Sequence, residues 1–311
     1  MLKKSIDFFK VSKISLIIYI AIFLVGIILF AIFGVDMDIN FSGGTRFTYT
    51  YSGDIDVKAA QSIIESNLSG KKVNVTTSTG FNSESKKLVV TLASTDAVTV
   101  EAQEKVLTGL QTKFKDNKIE LGDSNTVNPS VAGSFFAKSL FAVAIASILV
   151  LIYVGLRFRK IGGITAGLTA LLALVVDCFV AFFACVFFRL QIDTNFMAVI
   201  LTILGYSLND TIVIYDRIRE NNQLMPTASL DEKVNTSLNQ CLGRTFMTSL
   251  TTLIAILTVI IVSEIFGLTT LRSFAIPMSV GIVSGCCSSL LIAVPIWCKI
   301  QNKKAAKVKK A

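Results

Sequence analysis

The stretch GYSLNDTIVIYDRIREN, Gly205 to Asn221, sets the terms on which the rest of the chain is understood. Phe196 to Leu201 upstream and Ile212 to Ile214 downstream are apolar, yet Asn209 and Asp210 stand between them. In water such an acid is ordinary. In a bilayer it is costly, faces protein or a water-filled path, and marks a functional position. The first question is therefore whether the segment lies in lipid.

Working outward from it, the apolar residues are both abundant and clustered. Hydrophobic residues make up 52% of the 311 and charged residues only 16%, against about 25% charged in soluble domains. Ile14–Val35, Ser139–Leu156, Thr245–Ser263 and Ser273–Cys298 contain no charge, and Ile161–Phe188 and Thr194–Tyr215 hold one carboxylate each, Asp177 and Asp210. A bilayer core of ~30 Å needs ~20 helical residues, so six spans are predicted. The first is too long for a cleaved signal peptide and is followed by no small-residue cleavage site. Basic residues flank alternate ends: Lys3, Lys4, Lys10 and Lys13 before the first span, Arg157, Arg159 and Lys160 after the second, Arg217, Arg219 and Lys233 after the fourth, and a run from Lys299 to Lys310 after the sixth. The positive-inside rule then puts both termini in the cytoplasm. The expected divisions are 1–35 (N-terminus and first span), 36–134 (an outer domain), 135–298 (five spans with a cytoplasmic connection at 216–244) and 299–311 (a basic tail).

The net charge of +9 is topological: residues 36–134 carry 12 acids and 10 bases, and the remainder 9 acids and 20 bases. Without an aromatic platform beside the lysines, the tail reads as an anchor on anionic lipid rather than as a nucleic-acid site. None of the six cysteines lies in 36–134, so no disulfide is expected on the oxidising side. The chain has no histidine, which removes histidine acid–base chemistry and an ordinary zinc site. No metal, cofactor or catalytic residue is expected.

Within 36–134, Phe47, Tyr49 and Tyr51 alternate as in a strand, while Val57, Ala60, Ile64 and Leu68 fall at helical spacing. Lys72–Thr79 and Lys87–Ala93 read as strands parted by polar Asn82 and Ser83, Leu107, Leu110 and Phe114 mark a second helix, and Ile119–Val127 gives a last strand. That order predicts a ferredoxin-like α+β domain. At its root, Gly43 and Gly44 make either a turn leaving the membrane or a hinge that orients the domain.

Two polar stripes emerge in the spans. Arg244, Thr248 and Thr251 share one helical face, and Tyr206, Asn209 and Asp210 another. The spans carrying them should meet there, with Asp210 and Arg244 facing. Burial disfavours the charge on Asp210 and a guanidinium favours it, so a motion that parts the pair would move a proton. A proton crossing the field yields about 2.3 kcal/mol per 100 mV, enough to bias a conformational change. A static pair that fixes packing is the alternative. Asp177 reads either as an acid hydrogen-bonded to threonines or as a second station for the proton. Gly281 with Gly285, and Gly163 with Gly167, are GxxxG spacings that permit close helix contact. Pro277 permits a kink. The SLDE sequence, Ser229 to Glu232, is a capping box that opens a short cytoplasmic helix running to about Cys241.

These motifs, with LNQCLGRTFMTSLTTL (Leu238–Leu253), INFSGGT (Ile39–Thr45) and VNPSVAGSF (Val127–Phe135), resemble the SecF side of the SecD/SecF protein-export family, within the resistance-nodulation-division superfamily. The resemblance covers nearly the whole chain. It implies a SecD partner completing twelve helices, attachment to the SecY/SecE/SecG translocon with a YidC-type insertase as a further contact, and inward proton flow that helps move an unfolded preprotein across the bacterial plasma membrane. It implies proton-coupling roles for Asp210 and Arg244. The chain departs from the family pattern at Val176, where a histidine usually precedes the aspartate; at Asn40, where an acid is usual; and at Asn128 and Ala132, where glycines are usual. Competing readings are half of an efflux or lipid exporter of the same superfamily, a passive translocon scaffold, and an intramembrane aspartyl protease using Asp177 and Asp210. A dyad needs carboxylates close enough to share a proton. Counting Asp177 from Ile161 and Asp210 from Tyr215 sets them ~15 Å apart along the axis, which argues against one.

Overall fold

A computed structural model describes residues 5–68, 73–79, 85–92 and 98–308. Lys72, Ala93, polar Asn82 and Ser83, and Lys3, Lys4, Lys309 and Lys310 of the basic clusters lie outside these residues, while Ser85, a further polar residue expected to part the two strands, opens the second of them.

The chain enters through helix α1 (Phe8–Phe33), capped by Asp7, whose carboxylate accepts from the amides of Phe9 and Lys10. A single turn, α2 (Ile39–Ser42), leads into β1 (Gly44–Ser52), α3 (Val57–Asn67), β2 (Asn74–Thr79), β3 (Ser85–Leu92), α4 (Val100–Lys113) and β4 (Glu120–Val127). Then come α5 (Pro129–Arg157), α6 (Gly163–Phe188), α7 (Thr194–Leu224), α8 (Leu230–Ile265) and α9 (Thr269–Ser288), a π-helical turn over Ser289–Ala293, and α10 (Val294–Val308). Six helical segments among the described residues are long and apolar enough to cross a membrane, the last running from α9 into α10. The last span buries 61% of its most apolar window and α5 only 6%, so the final span lies at the centre and α5 at the periphery.

The small sheet has the order β2-β3-β1-β4, every pairing antiparallel. Phe47, Tyr49 and Tyr51 all face inward against Ile64 of α3 and Val106 and Leu110 of α4. This is the period-two reading of β1 realised as one buried face.

The membrane-facing half differs from the sequence reading in its helix lengths. The 216–244 segment is helical except for residues 225–229, because α7 runs on to Leu224 and Ser229 opens α8 by accepting from the amide of Glu232. The helix started by the capping box does not stop near Cys241 but continues unbroken to Ile265. Likewise α5 begins at Pro129, ahead of the apolar run, where its missing N–H costs nothing at a helix start. Pro277 sits inside an unbroken α9. The ladder widens instead at Ser289–Ala293, just before Pro295. A proline ring clashes with the carbonyl four residues earlier, here that of Leu291, and a π turn relieves it.

At the root of the outer domain Gly43 has φ +76° and ψ 164°, a conformation essentially reserved for glycine. A side chain there would also meet Pro129, whose Cα would lie 2.7 Å from the added carbon. Gly43→Val should therefore lose ~1–3 kcal/mol from the backbone and more from the collision. Thermal unfolding of the detergent-purified protein should show a clearly lowered midpoint, and an unchanged midpoint would refute this account of the junction.

Candidate functional site: two buried acids between the central helices

Asp177 lies on α6 and is fully buried. Three serine hydroxyls donate to its carboxylate: Ser284 to Oδ1 at 2.6 Å, and Ser207 and Ser288 to Oδ2 at 2.8 Å each. The partners are serines of α7 and α9, in place of the threonines the sequence suggested. Their approach depends on glycine. A side chain at Gly281 would strike Ile203, and one at Gly285 would lie 2.9 Å from Ser207 Cβ. The GxxxG face of α9 thus brings α7 close enough for Ser207 and Ser288 to reach the same oxygen. Tyr19 of α1 extends the cluster, donating to the carbonyl of Ser284 at 3.0 Å. The π turn adds Ser289, whose hydroxyl is 2.8 Å from that of Thr211 and donates to the carbonyl of Ser207 at 3.2 Å.

Asp210 lies on α7, one helical turn beyond Ser207, and is also buried. Its surroundings differ. Oδ2 has no hydrogen-bond partner, and the polar groups beside it are Ser249 and Arg244 of α8. Among the described residues no ion pair joins Asp210 to Arg244, which is exposed. Near this level the two helices meet through Tyr206, whose hydroxyl is 3.4 Å from Ser249 Oγ and 3.3 Å from Thr252 Oγ1, and further along through Asn221, which donates to Ser237 Oγ at 2.7 Å and Gln240 Oε1 at 2.8 Å. Thr248 and Thr251 donate only to carbonyls of their own helix, and with Arg244 and Asn209 they form a polar face that this chain leaves open.

The ~15 Å axial offset between the acids is corrected. Since Ser207 touches Asp177 and stands three residues from Asp210, the acids differ by ~4.5 Å along α7. Tyr215 is not a membrane boundary: it is fully buried between Phe158 and Trp297 and its hydroxyl lies 2.7 Å from Thr169 Oγ1. No hydrogen bond joins the two carboxylates, and each has its own neighbours.

Sequence reasoning missed the three serines around Asp177. The spacing Ser284-xxx-Ser288 was a usable signal, since it puts two hydroxyls on one helical face. It also missed Asp38. That carboxylate caps α2 and forms an ion pair with Arg46 of β1, and Asn40 donates to it at 2.6 Å. An acid is thus present beside this motif at Asp38, two residues before Asn40, which donates to it. Burial works against the charge on Arg46, and Asp193, the N-cap of α7, supports it.

Replacing Asp177 by leucine would take the shared acceptor from three hydroxyls, of which Ser288 also has the Gly285 carbonyl at 3.3 Å, at ~1–3 kcal/mol for each group left buried and unsatisfied. Asp177→Leu should thus cut the thermal midpoint and yield sharply, and Asp177→Asn, which keeps an acceptor, should cut them less. Differential scanning fluorimetry of the two variants decides it, equal midpoints contradicting the serine arrangement.

Comparison with known proteins places these features in a family. Residues 106–303 match the model of the protein export membrane protein SecD/SecF, C-terminal. The chain is 31% identical to protein translocase subunit SecF of Alicyclobacillus acidocaldarius, over 98% of this chain and 96% of that one. It is 32% identical to protein translocase subunit SecDF of Bacillus subtilis, over 97% of this chain but 39% of the relative. A crystal structure of SecDF from Thermus thermophilus, described as a translocon-associated membrane protein, superposes with a TM-score of 0.80 at 27% identity, covering 97% of this chain and 39% of that one. The chain therefore spans about two-fifths of the SecDF relatives and nearly all of the SecF one.

Proposed function

We propose that this chain, which belongs to the SecD/SecF family of protein-export membrane proteins, is a translocase subunit that couples proton entry to the completion of preprotein export. Asp210 is the proton-carrying group. The observation that carries this reading is its buried carboxylate oxygen without a hydrogen-bond partner, beside a helix bearing Arg244. A buried acid with an unmet oxygen is poised to exchange partners, and intramembrane acids serve pathways by default. Asp177 has a complete set of serine donors and acts as the brace against which α7 and α9 are held.

The open polar face with Asn209, Arg244, Thr248 and Thr251 is where a SecD-type six-helix partner docks. Relatives that carry both halves in one chain support this. An exposed arginine on an otherwise apolar span also needs a polar partner. The outer domain takes a ferredoxin-like form, consistent with its sheet order, and Gly43 and Gly44 are its junction with the bundle. The termini face the cytoplasm, following the basic residues. Contacts with SecY/SecE/SecG and a YidC-type insertase follow from the family.

In inverted membrane vesicles, Asp210→Asn should reduce preprotein export to the level seen without a proton gradient while the complex still assembles. Full proton stimulation in that variant would leave only a scaffold role. Separately, an alkaline phosphatase fused after Lys307 should be inactive and a fluorescent protein at the same point bright; the opposite pattern would reverse the orientation.

A further inference from the structure

A cleft of about 640 Å³ opens on the membrane-facing side, where the end of α5 turns into α6 and α10 passes by. Ile152, Gly155, Leu156 and Ile164 line it together with Arg159 and Lys304, the two cations lying where the spans pass out of their apolar runs. The volume lies within the ~300–1,000 Å³ range of ligand-binding clefts. Both cations are exposed, and neither has an ion-pair partner among the described residues, whereas nearby Arg157 pairs with Asp216. Lys304 is held over the cleft by its own helix: Gln301, one turn earlier, donates to the carbonyl of Ile161 at 3.0 Å and to Thr165 Oγ1 at 2.7 Å. Gly155 keeps the space open, since a Cβ added there would meet nothing within 4 Å.

We propose that this cleft is a binding site for one anionic phospholipid, with an acyl chain between Ile152, Leu156 and Ile164 and the phosphate between Arg159 and Lys304. The order of chemistry decides the occupant. The cleft is apolar along its depth and doubly cationic at one end, which is how an anionic lipid is built, and basic pockets between transmembrane helices bind such headgroups. A partner's helix would fill the apolar part and leave two cations unmet. The site is distinct from general attraction of the basic tail to the leaflet, which Lys303 and Lys307 serve equally well. It is also independent of proton coupling, because Asp210 and Arg244 take no part in it.

The test is native mass spectrometry of the full chain in detergent, titrated with phosphatidylglycerol or phosphatidylcholine. One phosphatidylglycerol should be retained about thirtyfold more tightly, the scale two basic residues give at an anionic headgroup. The Arg159→Gln/Lys304→Gln pair should abolish that preference, and Lys303→Gln/Lys307→Gln, which removes the same charge, should keep it. Gly155→Leu, which puts a branched side chain into the cleft at a position where a Cβ has room, should lower retention of both lipids. Equal retention of the two headgroups, equal loss in the two charge pairs, or binding indifferent to Gly155→Leu would overturn the site. So would a photo-crosslinker at Ile152 that, in the assembled membrane complex, captures protein instead of lipid.

Discussion

A carboxylate removed from water must be met by donors, and in this chain the requirement organises the bundle. Asp177 accepts from three serines on two other helices, so α6, α7 and α9 are fixed relative to one another at one level. Apolar packing alone could not do this. In hydrocarbon the tails are as apolar as leucine, and helices associate through close van der Waals contact and hydrogen bonds. Both are present at the same place: Gly281 and Gly285 let α7 approach, and the hydroxyls that this approach brings near converge on one carboxylate. The π turn before Pro295 follows within one residue of Ser288 and gives Ser289 to the same layer.

The second acid gains its meaning by contrast. Asp210 stands on the same helix as Ser207, one turn away, and lacks what Asp177 has. Removing a donor from a satisfied carboxylate costs more than moving one that is already short of partners. Motion is therefore cheaper where α8 passes Asp210, with the long Tyr206 contacts to Ser249 and Thr252 as its links, than nearer the α7–α8 connection, where Arg217, Asn221 and Lys233 tie the two helices with bonds of 2.6 to 3.1 Å, or at the α6–α7–α9 contact. A braced triad beside a helix that is tied near its connection to α7 and looser at the level of Asp210 is a workable division for a device in which one contact changes and the rest hold still.

Much of this was legible in the residues. Six spans follow from uninterrupted apolar runs, and the outer domain from a change of period at Phe47 and again at Val57. Asp210 was singled out by its surroundings in the sequence alone. The depth of the acids was not legible, because the polar DRIREN segment looks like a membrane boundary while α7 continues for 14 residues beyond Asp210, ~21 Å of helix. Tyr215, taken as the edge, is core. The serine donors were hidden for a different reason. A serine in an apolar span can satisfy its hydroxyl on its own helix, as Ser279 does on the carbonyl of Ile276, and only the packing shows which ones turn to a partner. The interruption at Ser289–Ala293 was obscured because Pro277 was the more obvious candidate.

The outer domain is attached to the bundle by more than its covalent link. The segment leaving α1 pairs with the α6–α7 connection: Asp38 N–H donates to the carbonyl of Ile192 at 3.0 Å, and Ile192 N–H to that of Asp36 at 2.8 Å. Asp38 also holds Arg46 of β1, and the next residue after Ile192 is Asp193, which caps α7 by accepting from Phe196 at 3.0 Å. A chain of short contacts thus runs from the first strand of the domain to the first turn of the helix that carries Asp210. Loose tethers would absorb a tilt of the domain in their own dihedrals. Paired backbone, a half-buried ion pair and a helix cap resist such a tilt more than a loose tether does, and they tie β1 to the start of α7. Because α7 is one continuous helix from Thr194 to Leu224, its capped first turn and the level of Asp210 belong to one element with no break between them.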